Sequence, residues 1–200
     1  MYNKKAALVT DGFWRKSLAV VRALFRSGLK VGIGERTLLA PALLSRYVNW
    51  RYIYPSVGLY PGEFISWLEA LVKTNKFGVL IIPEEETCLL IAQNKEMLSK
   101  HIRIPLAEYN AISFLRDKFA LISHANTLGI PCPNTELISS ISDIYKHKKA
   151  YEFPLVLKPI NSSGGHGIKY VFERSQLETM SEDILRQYKK MHDTRLYSRQ

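Results

Sequence analysis

Phe77-Gly78-Val79-Leu80-Ile81-Ile82-Pro83, followed by Glu84-Glu85-Glu86, decides how the first half of this chain folds. Four consecutive apolar residues closed by a proline read as a strand buried on both faces, since a strand with one wet face would alternate. The three acids suit the first turn of a helix, where the macrodipole favours negative charge, and a helical pattern runs from Glu84 to Lys100. Working outward, Ala6-Ala7-Leu8-Val9-Thr10 is a second apolar run, closed by the turn Asp11-Gly12. From Trp14 to Ser27, Leu18, Val21 and Phe25 fall at helical spacing, and Gly28 stands where a helix ends. Leu29 to Gly34 and Tyr52-Ile53-Tyr54-Pro55 read as further strands. Pro61-Gly62-Glu63 opens an amphipathic helix through Phe64, Trp67, Leu68, Leu71 and Val72. Strands that are apolar throughout and alternate with helices predict an α/β domain whose parallel sheet is covered on both faces.

Such sheets take ligands beyond the carboxyl ends of their strands, which singles out Asp11-Gly12 and Pro83-Glu84-Glu85-Glu86. The same glutamates also read as a solvated helix start. Thr10-Asp11-Gly12-Phe13-Trp14 departs from GxGxxG, and bulky Phe13 and Trp14 would obstruct a pyrophosphate, which argues against NAD.

Two hundred residues make one ordinary domain or two small ones, with 46% hydrophobic and 23% charged residues, so general disorder is excluded. The longest apolar runs are too short to cross a bilayer, and the N-terminal residues do not form a signal peptide. Cys88 and Cys132 form no CxxC pair and read as reduced packing thiols of a cytoplasmic protein. Twenty-eight Lys and Arg against 18 Asp and Glu leave a net charge of +10. The first hundred residues hold 14 basic and 8 acidic side chains and the second hundred 14 and 10, so the excess does not form a tail. A basic protein attracts polyanions: nucleic acid, anionic membrane or phosphorylated small molecules. No zinc-finger spacing, helix-turn-helix pattern or aromatic RNA motif accompanies the charge, which places a phosphate-bearing ligand ahead of nucleic acid.

The second half carries the chemistry. Phe119 to Leu128 reads as a helix stopped by Gly129-Ile130-Pro131-Cys132-Pro133, Thr135 to Ile138 as a strand, and Ser142 to Tyr151 as a helix. Phe153-Pro154-Leu155-Val156-Leu157-Lys158-Pro159 is a strand with one cation near its end. Ile160-Asn161-Ser162-Ser163-Gly164-Gly165-His166-Gly167-Ile168 separates it from the strand Lys169-Tyr170-Val171-Phe172, and Ser175 to Met191 closes the set as a helix. Glycines let consecutive amides point into one concavity and serine hydroxyls add donors, an arrangement suited to phosphate. This is not the GxxxxGK[ST] loop between a strand and a helix, and taken alone it also reads as a flexible turn. Lys158 at the end of an apolar strand needs a partner or an anion, because burying an unpaired ammonium is costly.

These residues resemble a family. Phe153 to Pro159 followed by Ser162-Ser163-Gly164-Gly165-His166-Gly167-Ile168 is similar to the glycine-rich lid of ATP-grasp enzymes. Asp117-Lys118, its helix and the Gly129 to Pro133 linker resemble the segment that precedes this lid. The first half is similar to the preATP-grasp domain of the carbamoyl-phosphate synthase and biotin carboxylase branch. The resemblance implies a Rossmann-like preATP-grasp α/β domain over 1–107, linker helices over 108–132, and a small α+β lid subdomain over 133–200, with the C-terminal ATP-grasp lobe absent. It implies that Lys118 and Lys158 face the ATP phosphates while Ser162, Ser163, Gly164, Gly165 and Gly167 close over them. His166 takes no role, and no residue here is assigned catalysis or metal binding.

By the same resemblance the chain is expected to be the N-terminal part of an ATP-dependent ligase, inactive alone. The ligase would activate a small carboxylate as an acyl phosphate for attack by an amine or related nucleophile. Its cofactors would be ATP and Mg²⁺, with the metal ligands in the missing lobe, and no membrane partner is expected. Residues 193–200 are expected to be poorly anchored, their sheet partners lying in that lobe. Two other readings stay open: a basic, non-catalytic module for nucleic acid or another polyanion, and a Rossmann-like transferase using Asp11 and Glu84 to Glu86.

Overall fold

The computed structural model describes residues 5–74, 76–147, 151–160, 166–188 and 196–199. The chain divides into two compact units, Met1–Ala111 and Ile112–Gln200.

In the first unit, β1 (Ala6–Val9), α1 (Arg15–Arg26), β2 (Lys30–Glu35), β3 (Trp50–Ile53), α2 (Pro61–Lys73), β4 (Val79–Ile81), α3 (Glu85–Gln93) and α4 (Lys95–Ser99) follow one another. The sheet order is β3-β2-β1-β4, and every pair is parallel: Leu8 lies beside Gly32 on one side and Leu80 on the other. Both faces are buried, which is why the strands lack a polar alternation. Ala6, Leu8 and Leu80 join Phe64, Leu68 and Ile91 on one face, while Val9, Val31 and Ile33 join Val21, Ala40 and Leu43 on the other. Within β2, Gly32 and Gly34 leave room for aromatic rings. A side chain at Gly32 would meet the Phe77 ring at 2.6 Å, and one at Gly34 the Tyr54 ring at 2.7 Å. The parallel α/β reading is borne out.

The helix expected over 84–100 is two helices. Asn94 breaks it with φ −109° and ψ 13°, and its side-chain amide donates to the Leu90 carbonyl at 2.9 Å, a local bond that competes with helix continuation. A helix, α5 (Tyr109–Arg116), falls within the stretch 108–132 expected to hold linker helices, and includes Ala111, where the first unit ends.

The second unit continues with α6 (Lys118–Thr127), β5 (Thr135–Ile138), α7 (Ile141–His147), β6 (Leu155–Pro159), β7 (Lys169–Val171), α8 (Arg174–Tyr188) and β8 (Leu196–Arg199). Its sheet is antiparallel in the order β5-β8-β6-β7. Ile144 of α7 and Leu177, Ile184 and Leu185 of α8 pack on Ile138, Leu155, Leu157 and Val171, so one layer of helix covers one face of the sheet. This is the small α+β arrangement expected after the parallel domain. The expectation of a loose end at 193–200 is corrected for 196–199: β8 pairs with β5 through Leu137–Tyr197 and with β6 through Leu157–Ser198. Its hydrogen-bonding partners are strands of this same chain, so the premise that they lay elsewhere fails.

Candidate functional site

Each unit holds one group of chemistry-bearing residues. In the second unit, α6 begins at Lys118 because the Asp117 carboxylate caps it, accepting from the Phe119 and Ala120 amides at 3.0 and 2.9 Å. Capping fixes the first turn, and from it the Lys118 ammonium donates to the Ile160 carbonyl at 2.9 Å. Ile160 directly follows β6, and Lys158 stands two residues earlier, about 7 Å of extended backbone away. Along β6, Leu155, Leu157 and Pro159 are buried while Val156 and Lys158 are half-buried on the opposite face. Two lysines 40 positions apart are thereby brought to one strand end, next to the start of the glycine-rich stretch. Gly167, where β7 is about to begin, has φ +76°, a left-handed conformation glycine adopts without strain. Ser162, Ser163, Gly164 and Gly165 lie outside the described residues.

In the first unit, side chains that follow β1, β3 and β4 meet in one hydrogen-bonded network around Asp11, with the charge of Glu35 nearby. Asp11 follows β1, Glu35 ends β2, Tyr54 follows β3, and Thr87 sits in the first turn of α3 after β4. Asp11 has φ +60°, which a small polar residue tolerates better than most. Its carboxylate accepts from the Thr10 hydroxyl at 2.6 Å, the Thr87 hydroxyl at 2.7 Å and the Tyr54 hydroxyl at 3.4 Å, while its own amide donates to the Tyr54 oxygen at 2.9 Å. Its carbonyl accepts from the Ser17 hydroxyl at 2.5 Å, which anchors the start of α1.

Burial raises the Asp11 carboxyl above its ordinary value. The Thr10 and Thr87 hydrogen bonds pull it back, and the charges of Glu35 and Glu84 push it up again. Burial, then the charge of Asp11, raises the Tyr54 phenol and pushes the Cys88 thiol up to about 11. Glu35 accepts from the Phe13 and Arg36 amides at 3.0 and 2.7 Å, so its carboxylate ties two loops together. Glu84 caps α3 through the Glu85 amide at 3.1 Å and pairs with Lys16 at 2.9 Å. At the rim, Phe13 and Trp14 are exposed and stacked edge to face at 5.9 Å.

Asp11 and the Glu84 loop therefore lie where the strand-end rule expects them, at the switch point between β1 and its two neighbours. Sequence reasoning missed Tyr54, Thr87 and Glu35. Each stands at a strand end or helix start beside a residue already singled out, and that position was the available signal. Among the described residues, no group of three His, Cys, Asp or Glu side chains could hold a metal ion. No described helix is long and apolar enough to cross a membrane.

No protein-family model matches the chain. A formate-dependent phosphoribosylglycinamide formyltransferase from Nitratiruptor is 31% identical over 127 residues, which is 64% of this chain and 25% of that enzyme. Among solved structures, an L-amino acid ligase from Bacillus licheniformis superposes with a TM-score of 0.76 at 17% identity, covering 100% of this chain and 47% of that one. The biotin carboxylase domain of Hydrogenobacter thermophilus 2-oxoglutarate carboxylase, solved with MgADP, ADP and bicarbonate, gives 0.68 at 16% identity over 96% of this chain and 43% of its own. The chain thus spans a quarter of the curated relative and under half of these structures. The resemblance to ATP-grasp enzymes stands: the chain has the α/β fold of their N-terminal part.

Proposed function

We propose that this chain is the nucleotide-facing N-terminal part of an ATP-dependent ligase that joins a carboxylate to an amine. The supporting observation is the Lys118 hydrogen bond to Ile160, which brings a second ammonium to the end of the strand carrying Lys158. In this reading both cations face the phosphates of ATP, where charge grows on the transferring phosphoryl group. The stretch from Ser162 to Gly167 closes over them and excludes water. A carboxylate oxygen attacks the γ-phosphorus, the bond to the bridging oxygen breaks, and ADP leaves. The amine nitrogen then attacks the acyl carbon, the carbon–oxygen bond to the phosphate breaks, inorganic phosphate leaves, and the nitrogen loses its proton. Mg²⁺, when bound, would neutralise phosphate charge; among the described residues no group of three His, Cys, Asp or Glu side chains could hold it.

The first unit supplies the surface for the substrate to be joined. Its switch point carries an ordered loop, Asp11 to Trp14, whose backbone is held by Tyr54 and Glu35. Glu84 and Lys16 stand beside it with opposite charges. The relative's formate and phosphoribosylglycinamide are one such pair of acceptor chemistries.

The test is calorimetric titration with ATP, with and without Mg²⁺, of the chain and of Lys118→Ala and Lys158→Ala. A charge-assisted hydrogen bond to phosphate is worth about 1.5–3 kcal/mol, so each substitution should weaken binding about tenfold or more. Binding left unchanged by both substitutions would refute the assignment.

A further inference from the structure

The net charge is balanced between the two halves of the sequence but not within the first. Residues 13–62 hold eight Lys and Arg and a single acid, Glu35, so this stretch alone accounts for +7 of the +10. Some of these cations have partners: Lys16 pairs with Glu84, and Arg51 donates to the Leu43 and Ser45 carbonyls at 2.6 and 3.3 Å. Arg22, Arg26 and Arg46 are exposed and enter none of the ion pairs among the described residues.

Arg22, Phe25 and Arg26 stand at i, i+3 and i+4 in α1 and so share one side of the helix. Tyr47 comes to that side, its ring 5.1 Å from that of Phe25. The Arg46 guanidinium lies 5.1 Å over the Tyr47 ring and donates to its hydroxyl at 3.2 Å. The backbone that carries Arg46 and Tyr47 is fixed. Val48 packs with Val21 and Val31, and Asn49 exchanges two hydrogen bonds with Val31, both 2.8 Å. The phenol is drawn below its usual range by the hydrogen bond from Arg46, then by the charges of Arg46, Arg26 and Arg22. Packing, not a counter-ion, therefore gathers three guanidiniums around Tyr47. Val31 opens the buried part of β2 and Glu35 ends it, four residues and about 13 Å of extended strand away. That exceeds the roughly 8 Å over which physiological salt screens an exposed charge, and the Glu35 carboxylate is committed to the Phe13 and Arg36 amides. Asp11 lies at the same carboxyl end, after β1, so neither acid offsets the arginines at the amino end.

The geometry points to an anion site at the amino end of the parallel sheet: Arg22, Arg26 and Arg46, with the Tyr47 hydroxyl, bind a small, multiply charged phosphate. Guanidinium forks match phosphate oxygens in pairs, and arginines already held close together spend little on being ordered. The Tyr47 oxygen accepts from Arg46, which leaves its own proton to donate to the anion. A nucleic-acid strand would need cations in a row and open ring faces for its bases. Here the cations close around one phenol whose ring is already in contact with Phe25 and Arg46. The site involves neither Lys118 nor Lys158, and the proposal stands apart from the nucleotide reading.

The experiment is calorimetric titration with pyrophosphate, at low salt, of the chain carrying Lys118→Ala and Lys158→Ala, so that those two cations contribute nothing. One saturable site per chain is expected, weaker for orthophosphate and weaker as salt rises. Adding Arg22→Ala with Arg46→Ala should weaken binding about tenfold or more. Arg15→Ala, exposed at the other end of α1, removes an equal charge and should change it less than about twofold. Pyrophosphate should also move the ionisation of Tyr47 to higher pH, because the anion offsets the arginine charges. Ultraviolet difference absorbance against Tyr47→Phe reads that shift, and circular dichroism confirms that each variant is folded. The proposal is overturned by absence of saturable binding, or by Arg15→Ala weakening it as much as the Arg22 and Arg46 pair. It is equally overturned if a short DNA strand binds more tightly than pyrophosphate and loses affinity with Arg15→Ala.

Discussion

Replacing Gly34 with alanine should destabilise the first unit by wedging a methyl group against a ring that cannot retreat. The added Cβ would lie 2.7 and 2.8 Å from Tyr54 Cδ1 and Cε1, well inside van der Waals contact. Tyr54 is buried, its ring 5.0 Å from Phe64 and 5.1 Å from Trp67, and its hydroxyl is committed to Asp11. Overpacking of this kind costs about 1–3 kcal/mol, and the rigid surroundings place Gly34→Ala near 2. For a unit of about a hundred residues that corresponds to a loss of roughly 8–10 °C in Tm.

Gly62→Ala, in α2, is the internal control. A Cβ there meets nothing within 4 Å, so only helix propensity acts, and the change should be neutral or stabilising by up to about 1 kcal/mol. Urea unfolding followed by tryptophan fluorescence reads the effect cleanly, because Trp14, Trp50 and Trp67 all belong to the first unit. Adding Tyr54→Val to Gly34→Ala should cost less than the sum of the single changes, since removing the ring relieves the clash. Equal costs at Gly34 and Gly62, or strict additivity with Tyr54→Val, would refute the reasoning.

With its pKa pushed up to about 11, the Cys88 thiol is almost wholly protonated at neutral pH. Its alkylation rate in the folded protein should climb about tenfold per pH unit from 8 to 10, and a plateau near pH 9 would contradict the burial account. At the helix start beside Lys118, Asp117→Ala removes the acceptor for two amides and should cost about 1 kcal/mol, read by urea unfolding followed by circular dichroism. Because the cap also fixes the turn that aims Lys118, the same change should weaken ATP binding, and full ATP affinity in this variant would contradict that link.

The parallel sheet was legible because burial on both faces leaves its mark in uninterrupted apolar runs, as in Ala6–Val9 and Val79–Ile81. Strand and helix ends were less so. Trp50 and Arg51 belong to β3 although the pattern suggested a start at Tyr52, since a ladder partner, Gly32 for Trp50, counts for more than composition. Asn94 shows why a helical period can be continuous while the helix is not: the break is a single side-chain bond, invisible to periodicity. Lys158 and Lys118 could be picked out one by one, but their arrival at one strand end depends on a bond across 42 positions. Thr87 and Tyr54 reach Asp11 across 76 and 43 positions, and no local pattern carries such information.

The place of β8 bears on how the second unit is born. Among the described residues, β5 pairs in its sheet with β8 alone, whose first residue follows it by about sixty positions, and β8 stands between β5 and β6. A polypeptide emerging from the ribosome therefore holds β5 as an unpaired edge until nearly everything up to Arg199 has been made. Such an edge is an invitation to other strands. Sheet closure here is a late, long-range event, and slow maturation together with a need for shielding during synthesis follows directly from that strand order.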